Sequence, residues 1–125
     1  MPFRFENLDV WIQARAFVNV IYRTTRSFPK DELFGLVSQL RRAALSITSN
    51  IAEGSDRKSD VEFRRYLRIS LTSINETISC FYIALDQEFI NKQQFTEIYE
   101  EANRLAARLN ALISALNSKA VVSKQ

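Results

Sequence analysis

Two glycines and two prolines are all that interrupt 125 residues. A chain so poor in turn formers cannot make many sharp reversals, so it must fold into a few long helices. No stretch alternates apolar and polar residues as a half-buried strand does. Four amphipathic stretches stand out between the breaks.

The first predicted helix covers about residues 7–27, with Asn7 as N-cap and Asp9 in the first turn. Its apolar positions are Val10, Ala14, Phe17 and Ile21, flanked by Trp11, Val18 and Tyr22. That stripe is wider than one neighbour requires, so it should meet two elements, or one element and a second subunit. Ser27-Phe28-Pro29 closes it, because the residue before proline is pushed out of the α region. The second helix is predicted over about 31–53, with Leu36, Leu40, Ala43, Ile47 and Ile51 inward. Gly35 is expected inside it, and Gly54 is expected as a left-handed C-cap.

The third helix is predicted over about 60–87, opened by a Ser59–Glu62 capping box. Its inner face is Phe63, Leu67, Ser70, Ile74, Ile78, Phe81 and Leu85. The fourth is predicted over about 92–117, capped by Asn91 with Gln94. Its seam of Ile98, Ala102, Leu105, Leu109, Leu112 and Leu116 alternates steps of 4 and 3. Residues 118–125 read as a frayed tail. Short connections between helices of this length favour antiparallel neighbours, so one all-α domain over 1–125, an up-down-up-down four-helix bundle, is expected.

Composition narrows the function. The chain has no histidine and one cysteine, Cys80. That removes Ser-His-Asp and Cys-His nucleophile sites and His-ligated zinc, and an internal disulfide with them. Glu53, Glu62, Glu76 and Glu97 do not repeat as the Glu-x-x-His motif of dimetal bundles. There is no phosphate-cradling glycine loop. Neither catalysis, a metal nor a cofactor is expected, and Cys80 is expected as a small buried hydrophobe. Glu100 and Glu101 are placed to pair with Arg104 on an outer face. No apolar run approaches the ~20 residues of a membrane span. Met1–Glu6 lacks a secretory apolar stretch, so a cytoplasmic location is expected.

Charge is unevenly spread. Residues 1–70 hold 12 Lys/Arg against 8 Asp/Glu, and residues 71–125 hold 5 against 6. The basic set around the second turn is Arg41, Arg42, Arg57, Lys58, Arg64, Arg65 and Arg68. It either pairs internally or, if several members share one side, binds phosphates. A second feature is a pair of stripes of short polar residues. Gln39, Ser46, Asn50 and Glu53 lie on the second helix, and Thr72 and Glu76 on the third. They serve as inter-helix or inter-subunit contacts, or as an ordinary wet face.

Phe28-Pro29-Lys30-Asp31-Glu32-Leu33-Phe34-Gly35-Leu36, the run from Ser38 to Ile47, and Ser49-Asn50-Ile51-Ala52-Glu53-Gly54 carry a family likeness, as does Phe5–Trp11. With these blocks the chain resembles the bacterial four helix bundle protein family, also called the 23S rRNA intervening-sequence protein family. The resemblance implies a small cytoplasmic bundle without enzymatic activity, assembled as a homopentameric ring. It also implies RNA association, since some members are encoded within intervening sequences of the large-subunit rRNA gene. A distant relative, the accessory protein of diversity-generating retroelements, binds nucleic acid and a reverse transcriptase. Two positions depart from the family pattern. Thr48 stands where proline is frequent, which removes a kink, and Asp56 stands where glycine is frequent, which makes that turn more acidic.

Two working readings follow. In one, an oligomeric bundle holds structured RNA or DNA through its arginines. In the other, a homo-oligomeric ring acts as an adaptor for a protein partner.

Overall fold

The computed structural model describes residues 2–124, with side chains described for 2–117. It contains four α-helices: α1 (Asp9–Thr25), α2 (Ser38–Ser55), α3 (Asp60–Asp86) and α4 (Lys92–Lys124). Among the described residues there is no strand. The side chains of the tail expected at 118–125 lie outside those described.

The helix ends depart from the sequence expectation at several points, each with a local cause. Asn7 is not the N-cap of α1. Residues Arg4–Asn7 instead form a short 3-10 turn, and extended Leu8 precedes the helix with no side-chain cap. The turn is held by the Phe3 N–H donating to Glu6 Oε1 at 3.1 Å. α1 then stops at Thr25. There the Thr24 and Thr25 hydroxyls donate back to the Val20 and Ile21 carbonyls, and Phe28 N–H closes onto Thr25 O.

The predicted second helix is broken near its start. Lys30–Glu32 is a 3-10 turn and Leu33–Val37 a π-type turn, with Gly35 at φ −111°, ψ −108° outside helical geometry. Glu32 Oε2 accepts the Leu36 N–H that this break exposes. α2 proper runs unbroken through Thr48.

Gly54 is not a left-handed cap. It lies within α2, which ends on Asp56 at φ −89°, ψ −3°. Its role is close approach, because a Cβ there would fall 2.7 Å from Tyr66 Cβ and 3.0 Å from Phe63 Cδ1. The left-handed residue is Glu88, at φ 63°. It ends α3 in a Schellman motif, with Phe89 N–H bonded to Ala84 O and Glu88 N–H to Leu85 O.

The helix starts of α3 and α4 follow the sequence more closely. Ser59 Oγ accepts the Glu62 N–H, although the reciprocal bond of the expected box is not made. Asn91 and Gln94 make both bonds of theirs, at 2.8 and 2.9 Å.

One core joins all four helices. Phe17 and Ile21 of α1, Leu40 and Ile47 of α2, Leu67 and Phe81 of α3, and Leu105 and Leu109 of α4 are fully buried in it. α1 packs against both α2 and α4. Two neighbours in the same chain therefore explain its wide stripe without a second subunit. On α4, Ile113 is buried and Leu112 only half so. A helix of 3.6 residues per turn drifts against a strict heptad, and the seam moves one position along.

The most extensive helix contact is between α2 and α3, and small residues make it. Ser73 Oγ donates to Ser46 Oγ at 2.8 Å, and buried Ser70 donates to the Ile47 carbonyl at 2.9 Å. With Gly54 against Phe63 and Tyr66, the pairings rise along α3 as they fall along α2.

Candidate nucleic-acid interface

The seven basic residues singled out in the sequence separate into three groups. Two hold helices together. Arg41 is half-buried, donates from Nε to Thr25 Oγ1 at 3.0 Å, and lies 4.7 Å from the Tyr22 ring centroid. It ties the end of α1 to the start of α2. Arg64, only 9% exposed, donates from Nη1 to the Leu116 carbonyl at 3.3 Å and so joins α3 to α4. Neither guanidinium faces outward with the rest.

Four others gather where α2 turns into α3. Arg57 forms an ion pair with Glu53, one turn back, and its guanidinium sits 5.0 Å from the Tyr66 ring centroid. Arg65 sits 5.5 Å from the same ring. Lys58 and Arg68 are exposed, Lys58 beside Arg57 in the turn and Arg68 one turn beyond Arg65 on α3. Arg42 stands apart. It is exposed on α2, eleven positions before Glu53, which is about 16 Å along the axis.

The local fold explains this grouping. The turn between α2 and α3 is short, and Gly54 lets Tyr66 rest directly on α2. The phenol ring is then approached by a guanidinium from the turn and by another from α3, the electron-rich ring attracting both cations. Burial works against the Arg57 charge, but Tyr66 and Glu53, with Glu62 behind them, outweigh it and raise its pKa. Among the described residues no ion pair claims Arg42, Lys58, Arg65 or Arg68. Asp56, Asp60 and Glu62 lie in the same turn region and temper the positive field. Glu100 and Glu101 do not close ion pairs with Arg104; Glu100 and Arg104 are exposed on α4, where water competes for both charges, and Glu101 is half-buried beside Arg23 of α1.

Of the six polar stripe residues, Ser46 reaches a neighbouring helix, through its bond with Ser73. Asn50 donates to Ser46, both backbone oxygen and hydroxyl, within α2. Glu53 holds Arg57. Gln39, Thr72 and Glu76 are exposed, and the Thr72 hydroxyl bonds back to the Arg68 carbonyl of its own helix. Ser70 and Ser73, the actual partners across the α2–α3 contact, carried no separate signal in the sequence beyond their place near the inner face.

Arg4 was also missed. Its Nη1 donates to the Ser55 carbonyl at 2.9 Å and its guanidinium lies 5.4 Å from the Phe63 ring. It pins the N-terminal turn to the end of α2, next to the basic corner. Its place between Phe3 and Phe5 was the available hint. Cys80 is half-buried rather than fully so, and burial together with Glu76 pushes its thiol pKa up. Among the described residues no three metal-ligating side chains come together.

The arrangement offers guanidinium donors and an ammonium at one corner of the bundle, two of the guanidiniums resting on Tyr66. Guanidinium and ammonium groups of this kind suit phosphate oxygens.

Residues 6–111 match the family described as 23S rRNA-intervening sequence protein. Among solved structures, the fold is similar to that of a protein of unknown function from the S23 ribosomal protein family of Bacteroides thetaiotaomicron. The TM-score is 0.74 at 24% identity, over 83% of this chain and 97% of that one. No match was found among curated proteins.

Proposed function

Because the chain belongs to the 23S rRNA-intervening sequence protein family, we propose that it is a non-enzymatic homo-oligomeric bundle that associates with structured RNA or other nucleic acid. Arg57, Lys58, Arg65 and Arg68 contact phosphates in this reading, and Arg42 extends the contact along α2. Arg41 and Arg64 support the helices that carry them. The observation that carries the reading is the corner at Tyr66, where two guanidiniums rest on one ring beside two further exposed cations. We place the protein in the cytoplasm. We take the four helices to alternate in direction, supported by the α2–α3 pairings and by the short turns from α2 to α3 and from α3 to α4.

The test is RNA retention at low salt by wild type and by Arg65→Glu with Arg68→Glu. Both side chains are exposed, so the fold should tolerate the change. Wild-type affinity should fall steeply with salt, log K changing by roughly 0.7–0.9 per decade of salt for each phosphate contacted. The double variant should lose most retention and flatten that slope. Unchanged retention would remove the phosphate-binding role.

A second reading, an adaptor that docks a protein partner, draws on the apolar groove between α3 and α4. Recovery of a defined protein partner that survives nuclease would favour it.

A further inference from the structure

An open groove of about 410 Å³ lies between α3 and α4. Ile74, Ile78, Ala102 and Ala106 form the apolar part of its lining, and no charged residue lines it. Tyr82 of α3 and Tyr99 of α4 also line it, 48% and 46% exposed. Buried Phe95 packs against both rings, with centroids 4.6 Å from Tyr82 and 6.0 Å from Tyr99. A core residue thus braces the two phenols while about half their surface stays in water.

The polar groups of the groove are uncommitted. Elsewhere on these helices short polar side chains bond back to their own backbone. Thr72, Ser73 and Thr77 of α3 and Thr96 of α4 each donate to the carbonyl four residues earlier. Asn75, Ser79 and Asn103 line the groove, and among the described residues their side chains make no such bond. The lining therefore combines aromatic rings, two carboxamides and a hydroxyl, without charge. A phosphate finds no cation there, and a plain hydrocarbon leaves the carboxamides unmatched. An unpaired nucleobase fits both parts, its face against an aromatic ring and its edge against the amides.

The groove also continues the basic corner. Arg68, Asn75 and Tyr82 follow at steps of seven residues, close to two helical turns, so they lie along one side of α3 about 10 Å apart. Beyond Tyr82 the exposed charges are mixed, Asp86 and Glu88 against Lys92, so the phosphate-binding end is the one at Arg68.

We propose that the α3–α4 groove takes one unpaired base of an RNA strand whose phosphates lie on Arg65 and Arg68. The base packs against Tyr82 and Tyr99, and Asn75 and Asn103 bond its edge. This deepens the phosphate-binding reading above and rests on it. The corner holds the sugar-phosphate chain, and the groove selects strands with a base free of pairing. A duplex, whose bases are already paired and stacked, reaches the corner only.

The experiment uses the full chain and a short oligouridine carrying 5-iodouridine, which joins to an adjacent aromatic ring on irradiation. The same strand paired with oligoadenosine is the second arm. The expected result is a cross-link mapped by mass spectrometry to Tyr82 or Tyr99, with the single strand held more tightly than the duplex. Tyr99→Ala should weaken single-strand retention by about fivefold or more. It should leave duplex retention and the salt slope as they are, because no charge is removed. Tyr99 is the ring farther from Phe95, and circular dichroism checks that the variant keeps its helices. Asn103→Ala, at an exposed position, is the second variant and should weaken the single strand in the same selective way.

If wild type retains the strand with a steep salt dependence but no cross-link falls on either tyrosine, the base site is overturned while the corner stands. Equal retention of strand and duplex, or variants that retain the strand as wild type does, overturn it in the same way and leave the groove to a protein partner. If wild type retains neither strand nor duplex at low salt, the corner and the base site both fail.

Discussion

Gly54→Ala is the sharpest test of how α2 and α3 meet. In an open helix this change is favourable, by up to about 1 kcal/mol. Here the added Cβ would stand 2.7 Å from Tyr66 Cβ, 3.0 Å from Phe63 Cδ1 and 3.4 Å from the Phe63 carbonyl oxygen. The nearest atom is the root of a side chain on a helix, so it cannot swing aside as a chain end could. The helices must part, and overpacking of this kind costs about 1–3 kcal/mol. That exceeds the propensity gain, and a net loss of about 1–2 kcal/mol follows. For a domain of this size the melting temperature should drop by about 4–8 °C.

Urea unfolding followed by helical circular dichroism measures the loss, with a lower midpoint and an unchanged slope. The same penalty should persist in a Tyr66→Ala background, because alanine keeps the Cβ that clashes. A Gly54→Ala protein as stable as wild type, or more so, would refute the claim that glycine is there for close approach.

Two further outcomes follow from the turns and the thiol. Glu88 is a non-glycine residue at φ 63°, so Glu88→Gly should stabilise the chain by about 0.5–1 kcal/mol, read as a higher urea midpoint. The Cys80 thiol is raised by burial and by Glu76, so the fold favours its protonated form. That stability is fully present below the ordinary thiol pKa of about 8.5 and is lost as pH rises through the higher folded value. Alkylation with iodoacetamide at pH 8 should accordingly be slower in the native chain than in urea. Equal rates would contradict it.

The periodic parts of the molecule were legible from residues alone. Spacing in the sequence places all four helices, and Asn91 with Gln94 marks the start of α4 because a capping box is local chemistry. What spacing could not supply was the distance between helices. Gly54 looked like a terminator because glycine after a helical run usually is one. Its actual constraint comes from Tyr66, a dozen residues away and on another helix. Gly35 looked tolerable inside a helix, but Glu32 and the Leu36 N–H make a break there self-consistent.

The basic set shows the same division. The sequence places these arginines around one turn. It could not tell that Arg41 would reach Thr25 or that Arg64 would reach the Leu116 carbonyl, since both partners lie on other helices. Tyr66, which carries Arg57 and Arg65 on its ring, was not singled out, although it lies next to Arg65 in the chain. Ser70 and Ser73 were hidden for a related reason. A serine on an inner face becomes an inter-helix donor only when the facing carbonyl or hydroxyl is close enough.

The central claim is that copies of this chain assemble through apolar contact and expose arginines to an anionic polymer. Native mass of the purified protein, recorded with its absorbance at 260 nm before and after nuclease, addresses both halves together. The expected result is a multiple of 14.5 kDa that survives nuclease, with an excess 260 nm absorbance that does not. A single-chain particle with a protein-only spectrum, unchanged by added RNA at low salt, would contradict it.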